Sequence, residues 1–388
     1  MMRKAMVSGD GSTLSLDFTT GVLDPLLTFT RSTTGTFINS SGYVTSAAID
    51  APRFNYSSTG TLLGLLIESS SVNLVTQSNG ATSVWTIGAN RTPTNNTTDL
   101  LSPDGTNNAT KLVCGTATNY AAYATLITGL TGGATYTVSF WMRGPSGHTP
   151  RLYAVNGTAG DVTATSTTGT YNNTGWTRLT QTYTLPATTT QVYVYFASIG
   201  IVNTGDVFYL WGFQLEAGAV ASSHIPTTTS TGSRAADSCV MTGTNFSSWF
   251  NATEGTLLAH AIRSRTSDIG RIASVNDNTA NESIQLAADT TGEFIVVDGG
   301  STLATISPGT VTANTAFKIA GAYKLNDVQA ALGGTLGTAD TAVTLPTVDR
   351  LMIGQQAGGS PVYLNGTISL LKYWPTRLTN AELQSITT

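Results

Sequence analysis

The sequence predicts an all-β protein built from tandem β-sandwiches. Three observations predict it. Val, Ile, Thr, Tyr, Phe and Trp recur at period two in short runs, the mark of a half-buried strand. Gly, Asn, Asp, Ser and Thr clusters separate those runs and favour turns. Only 10% of the 388 residues are charged, against about 25% in an ordinary soluble chain. The Glu, Lys and Arg that long helices and coiled coils require are therefore missing. With 40% apolar residues and a net charge of −4, the chain has the means to bury large cores, which excludes disorder. Its 18 Lys and Arg are spread thinly, so there is no electrostatic footprint for nucleic acid.

The clearest strands, in order, are Thr135–Trp141, Gln191–Phe196, Glu293–Val297 and Thr367–Trp374. Val297-Asp298-Gly299-Gly300 reads as a turn. Pro375 lacks the N–H to continue a ladder and ends the last strand. Trp249-Phe250 reads as core closure. The best helix signal is the capping box Thr379-Asn380-Ala381-Glu382, followed by Leu383 and Ile386. It predicts one short terminal helical turn. Cys114 and Cys239 sit within alternating runs and read as free, buried strand residues. The start, Met1-Met2-Arg3-Lys4, lacks the apolar stretch of a signal peptide. No run is long enough for a membrane-spanning helix.

Composition divides the chain into three segments. Residues 1–75 hold many turns and few regular alternations. Residues 76–226 run from Trp85 to the Phe208–Glu216 stretch and beyond. The small-polar linker Ile225–Ser233 leads into the last block, residues 227–388.

Particular motifs narrow this reading. The first segment contains Thr28-Phe29-Thr30-Arg31-Ser32-Thr33-Thr34-Gly35-Thr36, Ala51-Pro52-Arg53-Phe54 and Gly64-Leu65-Leu66-Ile67-Glu68. This succession resembles the N-terminal part of bacteriophage tail-fibre, head-fibre and minor structural proteins. The second segment carries Trp85, Ser102–Leu112, Tyr136–Trp141 and Gly175–Arg178, and closes on Gln214–Gly218, Ser223–Thr227 and Arg234–Asp237. It resembles a jelly roll of the carbohydrate-binding-module type. The last block is similar to a concanavalin A/laminin-G sandwich, through Glu254–Leu258, Lys318–Tyr323 and Leu364–Ile368. The resemblance implies a jelly roll followed by a concanavalin A-like sandwich, with residues 1–75 as an irregular virion-attachment anchor. It also implies location on the virion surface, assembly as a homotrimer, contacts with other head or tail proteins, and no membrane insertion.

Such folds also occur in polysaccharide-degrading enzymes. A glycosidase needs two carboxylates about 5–9.5 Å apart, and the sequence contains no Glu-x-Asp-x-x-Glu run. Its acids are mostly flanked by turn formers. The three histidines, His148, His224 and His260, show no metal-ligand spacing, and Gly-x-Ser-x-Gly is absent. Asp104-Gly105 reads as a turn, with a structural calcium ion near Asp104 as the alternative. No cofactor is expected.

Alternation also selects a candidate binding face. In Tyr136–Arg143, the residues Tyr136, Val138, Phe140 and Met142 share the core face, which leaves Trp141 and Arg143 on the other. In Gln191–Ala197, Val192, Val194 and Phe196 face in, and Tyr193 and Tyr195 face out. Aromatic rings stack on the CH-rich faces of sugars. Trp141, Arg143, Tyr193 and Tyr195, with Tyr153 and Trp176 as additions, are the candidate glycan-binding residues. The competing reading is that these rings pack under another part of the chain or a neighbouring subunit. The expected function is a non-enzymatic phage fibre, spike or decoration protein that attaches to a host-surface glycan. The alternative is a secreted or virion-borne polysaccharide-degrading enzyme on a β-sandwich scaffold.

Overall fold

The computed structural model describes residues 9–80, 85–87, 90–115, 122–146, 149–156, 161–162, 172–199, 203–265, 268–356, 358 and 362–388. Antiparallel strands dominate, as the period-two pattern requires. The chain divides into two compact units. One consists of Met1–Gly42, Ser46–Ser70 and Ala235–Thr388, the other of Tyr43–Thr45 and Ser71–Arg234.

The first unit is a sandwich of two sheets. One runs in the order Thr335–Leu336, Gln329–Leu332, Ala316–Lys324, Glu254–Arg263, Gly366–Trp374, Leu62–Ile67 and Phe54–Tyr56. The other runs Thr28–Thr30, Ser238–Thr242, Arg350–Ile353, Gly270–Asn276, Ser283–Ala288, Thr291–Asp298 and Ser301–Thr310. Sequence composition set residues 1–75 apart, yet several of their short strands complete these sheets. Leu62–Ile67 pairs with Gly366–Ile368, and Leu14–Asp17 pairs with Leu370–Tyr373 along the same strand. Thr28–Thr30 pairs with Ser238–Val240. Leu16, Phe18, Leu65 and Ile67 join Leu257, Ile272, Leu286, Phe294 and Leu351 in one core. The segment looks irregular because each contribution is only three to six residues long, too short for periodicity to register. Gly64 is what admits one of them: its φ is +117°, and a Cβ there would lie 2.1 Å from the carbonyl oxygen of Ile368.

The motif residues of this unit converge on a buried ionic clasp. Asp237 is fully buried and accepts Arg31 Nη1 at 3.1 Å, the Glu68 amide at 2.8 Å, and Arg53 Nη2. Arg53 also reaches Glu68 at 2.7 Å and donates to the carbonyl of Thr36 at 2.8 Å. Arg31 donates further to the carbonyls of Thr33, Ala48 and Ala51. Burial works against the Arg53 charge, but Glu68 and Asp237 outweigh it and raise its pKa. Four residues widely separated in sequence therefore depend on one another for charge compensation.

At the C-terminus the capping box forms as expected. Thr379 accepts the Glu382 amide and Glu382 accepts the Thr379 amide. The helix Asn380–Thr387 runs longer than the single turn expected, because Leu383 seals an apolar cluster with Leu258, Ala320 and Trp374. Trp249 lies in the core and Phe250 packs against it. Cys114 and Cys239 are free and buried.

The second unit is also a two-sheet sandwich. One sheet runs Thr177–Thr184, Thr135–Arg143, Val207–Ala217, Thr110–Cys114 and Arg91–Thr94. The other runs Asp161–Val162, Thr149–Asn156, Gln191–Ile199, Ala122–Thr128 and Thr86–Ile87. Tyr136, Val138, Phe140 and Met142 meet Val192 and Val194 in the shared core, as alternation predicts. No helix among the described residues is long and apolar enough to cross a membrane.

Candidate functional site

The six sequence candidates do not form one patch. Trp141 and Arg143 lie on a strand of one sheet, and Trp176 immediately precedes the neighbouring strand. Tyr153, Tyr193 and Tyr195 lie on the opposite sheet. The outer faces of two sheets packed on a common core point in opposite directions. Strand-by-strand alternation finds the outward residues but not which sheet each strand joins. Tyr153 and Tyr195 stand directly opposite in register, and their side chains lie outside the described residues. Tyr193 is half-buried and pairs in register with Leu126, which is exposed.

Trp141 is on the non-core face, as expected, but it is covered. It is 8% exposed. The Arg178 guanidinium lies 4.4 Å over its ring, an arrangement held by Arg178 Nη2 donating to Ser139 Oγ at 2.9 Å. Trp211 meets it edge-on at 5.2 Å, and His224 lies 5.7 Å away. Gly212, at φ +69°, makes room for the ring, since a Cβ there would come within 2.6 Å of Trp141 Cε3. The cover comes from the closing stretch of the unit, which folds back and is tied down. The Ile225 amide donates to Gln214 Oε1 at 2.7 Å, and Asn73 Nδ2 donates to the Ile225 carbonyl at 2.9 Å. Buried Glu216 accepts Gln214 Nε2 at 2.6 Å, Ser71 Oγ at 2.6 Å and the Ser222 amide at 3.0 Å. For Trp141 the packing reading therefore describes the contacts, and its ring is not an open stacking platform.

The accessible part of this face lies one row along. Arg143 pairs in register with Tyr209, and Tyr209 with Lys111. All three are half-buried. Asp99 joins them: Lys111 Nζ approaches its Oδ2 at 2.6 Å, and the Tyr209 hydroxyl donates to the same oxygen at 3.0 Å. Those hydrogen bonds lower the Asp99 pKa. Burial and the bond to Asp99 raise that of Tyr209, whose proton is thus held at neutral pH. Trp176, half-buried, is oriented by Nε1 donating to the Leu101 carbonyl at 2.8 Å. The row offers a phenol edge, a guanidinium, an ammonium and a carboxylate along a shallow face. Tyr209 was overlooked in the sequence although the signal was present. Val207–Ala217 alternates as Thr135–Arg143 does, with Phe208 and Leu210 in the core and Tyr209 opposite.

Asp104 holds the Asp-Gly turn together. Its Oδ1 accepts Ser102 Oγ, the Thr106 amide and Thr106 Oγ1 at 2.9–3.0 Å, and its Oδ2 accepts Asn108 Nδ2 at 2.8 Å. Asn108 Oδ1 in turn accepts Trp211 Nε1 at 2.6 Å. No group of three His, Cys, Asp or Glu suited to a metal occurs among the described residues.

His224 gives this unit an acid sensitivity. Burial, reinforced by Arg178, pulls its pKa down to about 3. The unfolded chain takes up this proton near pH 6.5, so between those values the unfolded state binds more protons and stability falls as the pH drops. Replacing His224 with Gln is expected to flatten the decline of the unfolding midpoint between pH 6 and 4. An identical decline in the variant would contradict this account.

Residues 72–203 match the model of a family described as a carbohydrate binding domain. Among curated proteins none matches the chain. Several solved structures are similar to part of it. The CBM40 of the Ruminococcus gnavus IT-sialidase, bound to α2,3-sialyllactose, is 15% identical over 36% of this chain and 84% of that one, with a TM-score of 0.32. Domain 4 of the GH43 extracellular arabinanase AbnA of Geobacillus stearothermophilus, in complex with arabinotriose, is 9% identical over 39% of this chain and 73% of that one, with a TM-score of 0.32. A Trypanosoma rangeli sialidase mutant with trans-sialidase activity is 14% identical over 38% of this chain and 25% of that one, with a TM-score of 0.30. The matched span falls inside the sandwich of Ser71–Arg234, and that unit is therefore similar to a carbohydrate binding domain.

Proposed function

We propose that the protein is a non-enzymatic component of a bacteriophage particle, a fibre, spike or decoration protein, that attaches to a host-surface glycan. The observation that carries the glycan part is the family match over residues 72–203, in a sandwich whose outer face bears the Arg143–Tyr209–Lys111 row. A ring edge beside charged hydrogen-bonding groups suits a sugar, whose CH face and hydroxyls need both kinds of partner. The phage part rests on the resemblance of the Thr28–Thr36, Ala51–Phe54 and Gly64–Glu68 motifs to virion proteins. Assembly as a homotrimer, contact with other head or tail proteins and a place on the virion surface belong to the same reading.

The full chain is expected to bind a subset of bacterial surface polysaccharides on a glycan array. Tyr209→Ala and Arg143→Ala should each weaken that binding about tenfold, the effect of losing a contact worth ~1.4 kcal/mol, with little change in the unfolding midpoint. Binding that is absent, or unchanged in both variants, would refute the assignment. An antibody against the chain is expected to label particles of the encoding phage in electron micrographs, and unlabelled particles would refute the virion role.

A further inference from the structure

The first unit contains a second candidate site, independent of the row on the other sandwich. A groove of about 660 Å³ lies on the outer face of the sheet that holds Glu254–Arg263. Its floor includes His260 and Ile262, with Lys318 directly opposite His260 in register. Leu63 adds apolar surface, and Ser369 and Thr312 add hydroxyls.

Two features mark this groove as more than a gap between loops. The first is the His260 imidazole, whose Nε2 is buried with no hydrogen-bond partner. A buried polar atom left unpaired is destabilising. The second is a β-bulge at the same place. His260 pairs with Leu370 and Ala261 with Ile368, which leaves Ser369 as the extra residue. Bulges commonly re-aim a side chain beside a site, and here Ser369 reaches the groove and donates to the His260 carbonyl at 3.4 Å.

We propose that this groove binds an uncharged oligosaccharide, with His260 and Ser369 pairing with sugar hydroxyls and Ile262 and Leu63 meeting CH faces. The lining residues include no Asp or Glu. Lys318 Nζ already donates to a backbone oxygen of Thr388 at 2.6 Å. Burial, Lys318 and Lys372 lower the His260 pKa, so the imidazole is neutral at pH 7. A neutral imidazole offers one donor and one acceptor, which a hydroxyl matches and a carboxylate does not. The proposal does not depend on the site assigned to the other sandwich.

The test uses the full chain with carbon-13-labelled histidine, which gives only three imidazole signals because the chain has 3 His. Maltohexaose, cellohexaose, xylohexaose and mannohexaose are titrated in turn. At least one is expected to shift the His260 signal saturably, the signal being assigned by its loss in His260→Gln. His260→Gln and Thr312→Leu should each weaken that binding about tenfold, while Tyr209→Ala leaves it unchanged. Thr312 is exposed, so its variant keeps the test valid if His260→Gln fails to fold. The proposal is overturned if no hexaose moves the His260 signal up to ~5 mM, if Tyr209→Ala abolishes the shift, or if only an acidic saccharide such as trigalacturonate produces it.

Discussion

Replacing Asp237 with Ala is expected to destabilise its unit by about 3–5 kcal/mol, the cost of leaving buried charge without its partner. The carboxylate compensates Arg31 and Arg53 and accepts the Glu68 amide, and both arginines are wholly buried. Without it, both buried guanidinium groups lose the carboxylate they share, and Arg53 keeps its ion pair with Glu68. Asp237→Asn keeps the shape and one acceptor, so its loss should be smaller. Urea unfolding of the full chain, followed by fluorescence, measures this directly. With two units the curve is fitted as two transitions, and one should move while the other stays. A shift under 1 kcal/mol in Asp237→Ala would show that the clasp is dispensable.

Trp141→Ala should have the next largest effect, lowering the stability of its own unit by about 3–5 kcal/mol, as truncating a buried aromatic does. The ring is 8% exposed and carries Arg178 on its face and Trp211 at its edge. Under conditions where the variant stays folded, glycan binding should remain within about threefold of wild type, because less than ~1 kcal/mol of contact is lost. Tyr209→Ala should show the converse, with stability nearly unchanged and binding weakened. Should Trp141→Ala lose binding while its unfolding midpoint holds, the ring would be a sugar platform after all and the packing account would be wrong.

Much of the fold was legible because strand alternation is a local property. Tyr136, Val138, Phe140 and Met142 are in the core, the hairpin turn at Asp298–Ser301 joins Thr291–Asp298 to Ser301–Thr310, and the Thr379–Glu382 capping box forms. Each depends on residues within a few positions of one another. What was not legible depends on pairing across the chain. Leu62–Ile67 joins a strand some 300 residues away, at Gly366; nothing in its own six residues names that partner. The Arg31, Arg53, Glu68 and Asp237 motifs stood out in the sequence, but not as members of one clasp. The candidate site suffered most. Alternation in the sequence reads both Trp141 and Tyr195 as outward, yet their strands belong to different sheets, and a covering segment near His224 is invisible to a rule that asks only inward or outward.

The most direct test of the central claim is to incubate the purified full chain with the polysaccharides it retains on an array and follow bound polymer and reducing ends together. The account predicts saturable binding with no growth in reducing ends over a day. Steady release of reducing sugar, abolished by substituting a single carboxylate, would contradict it.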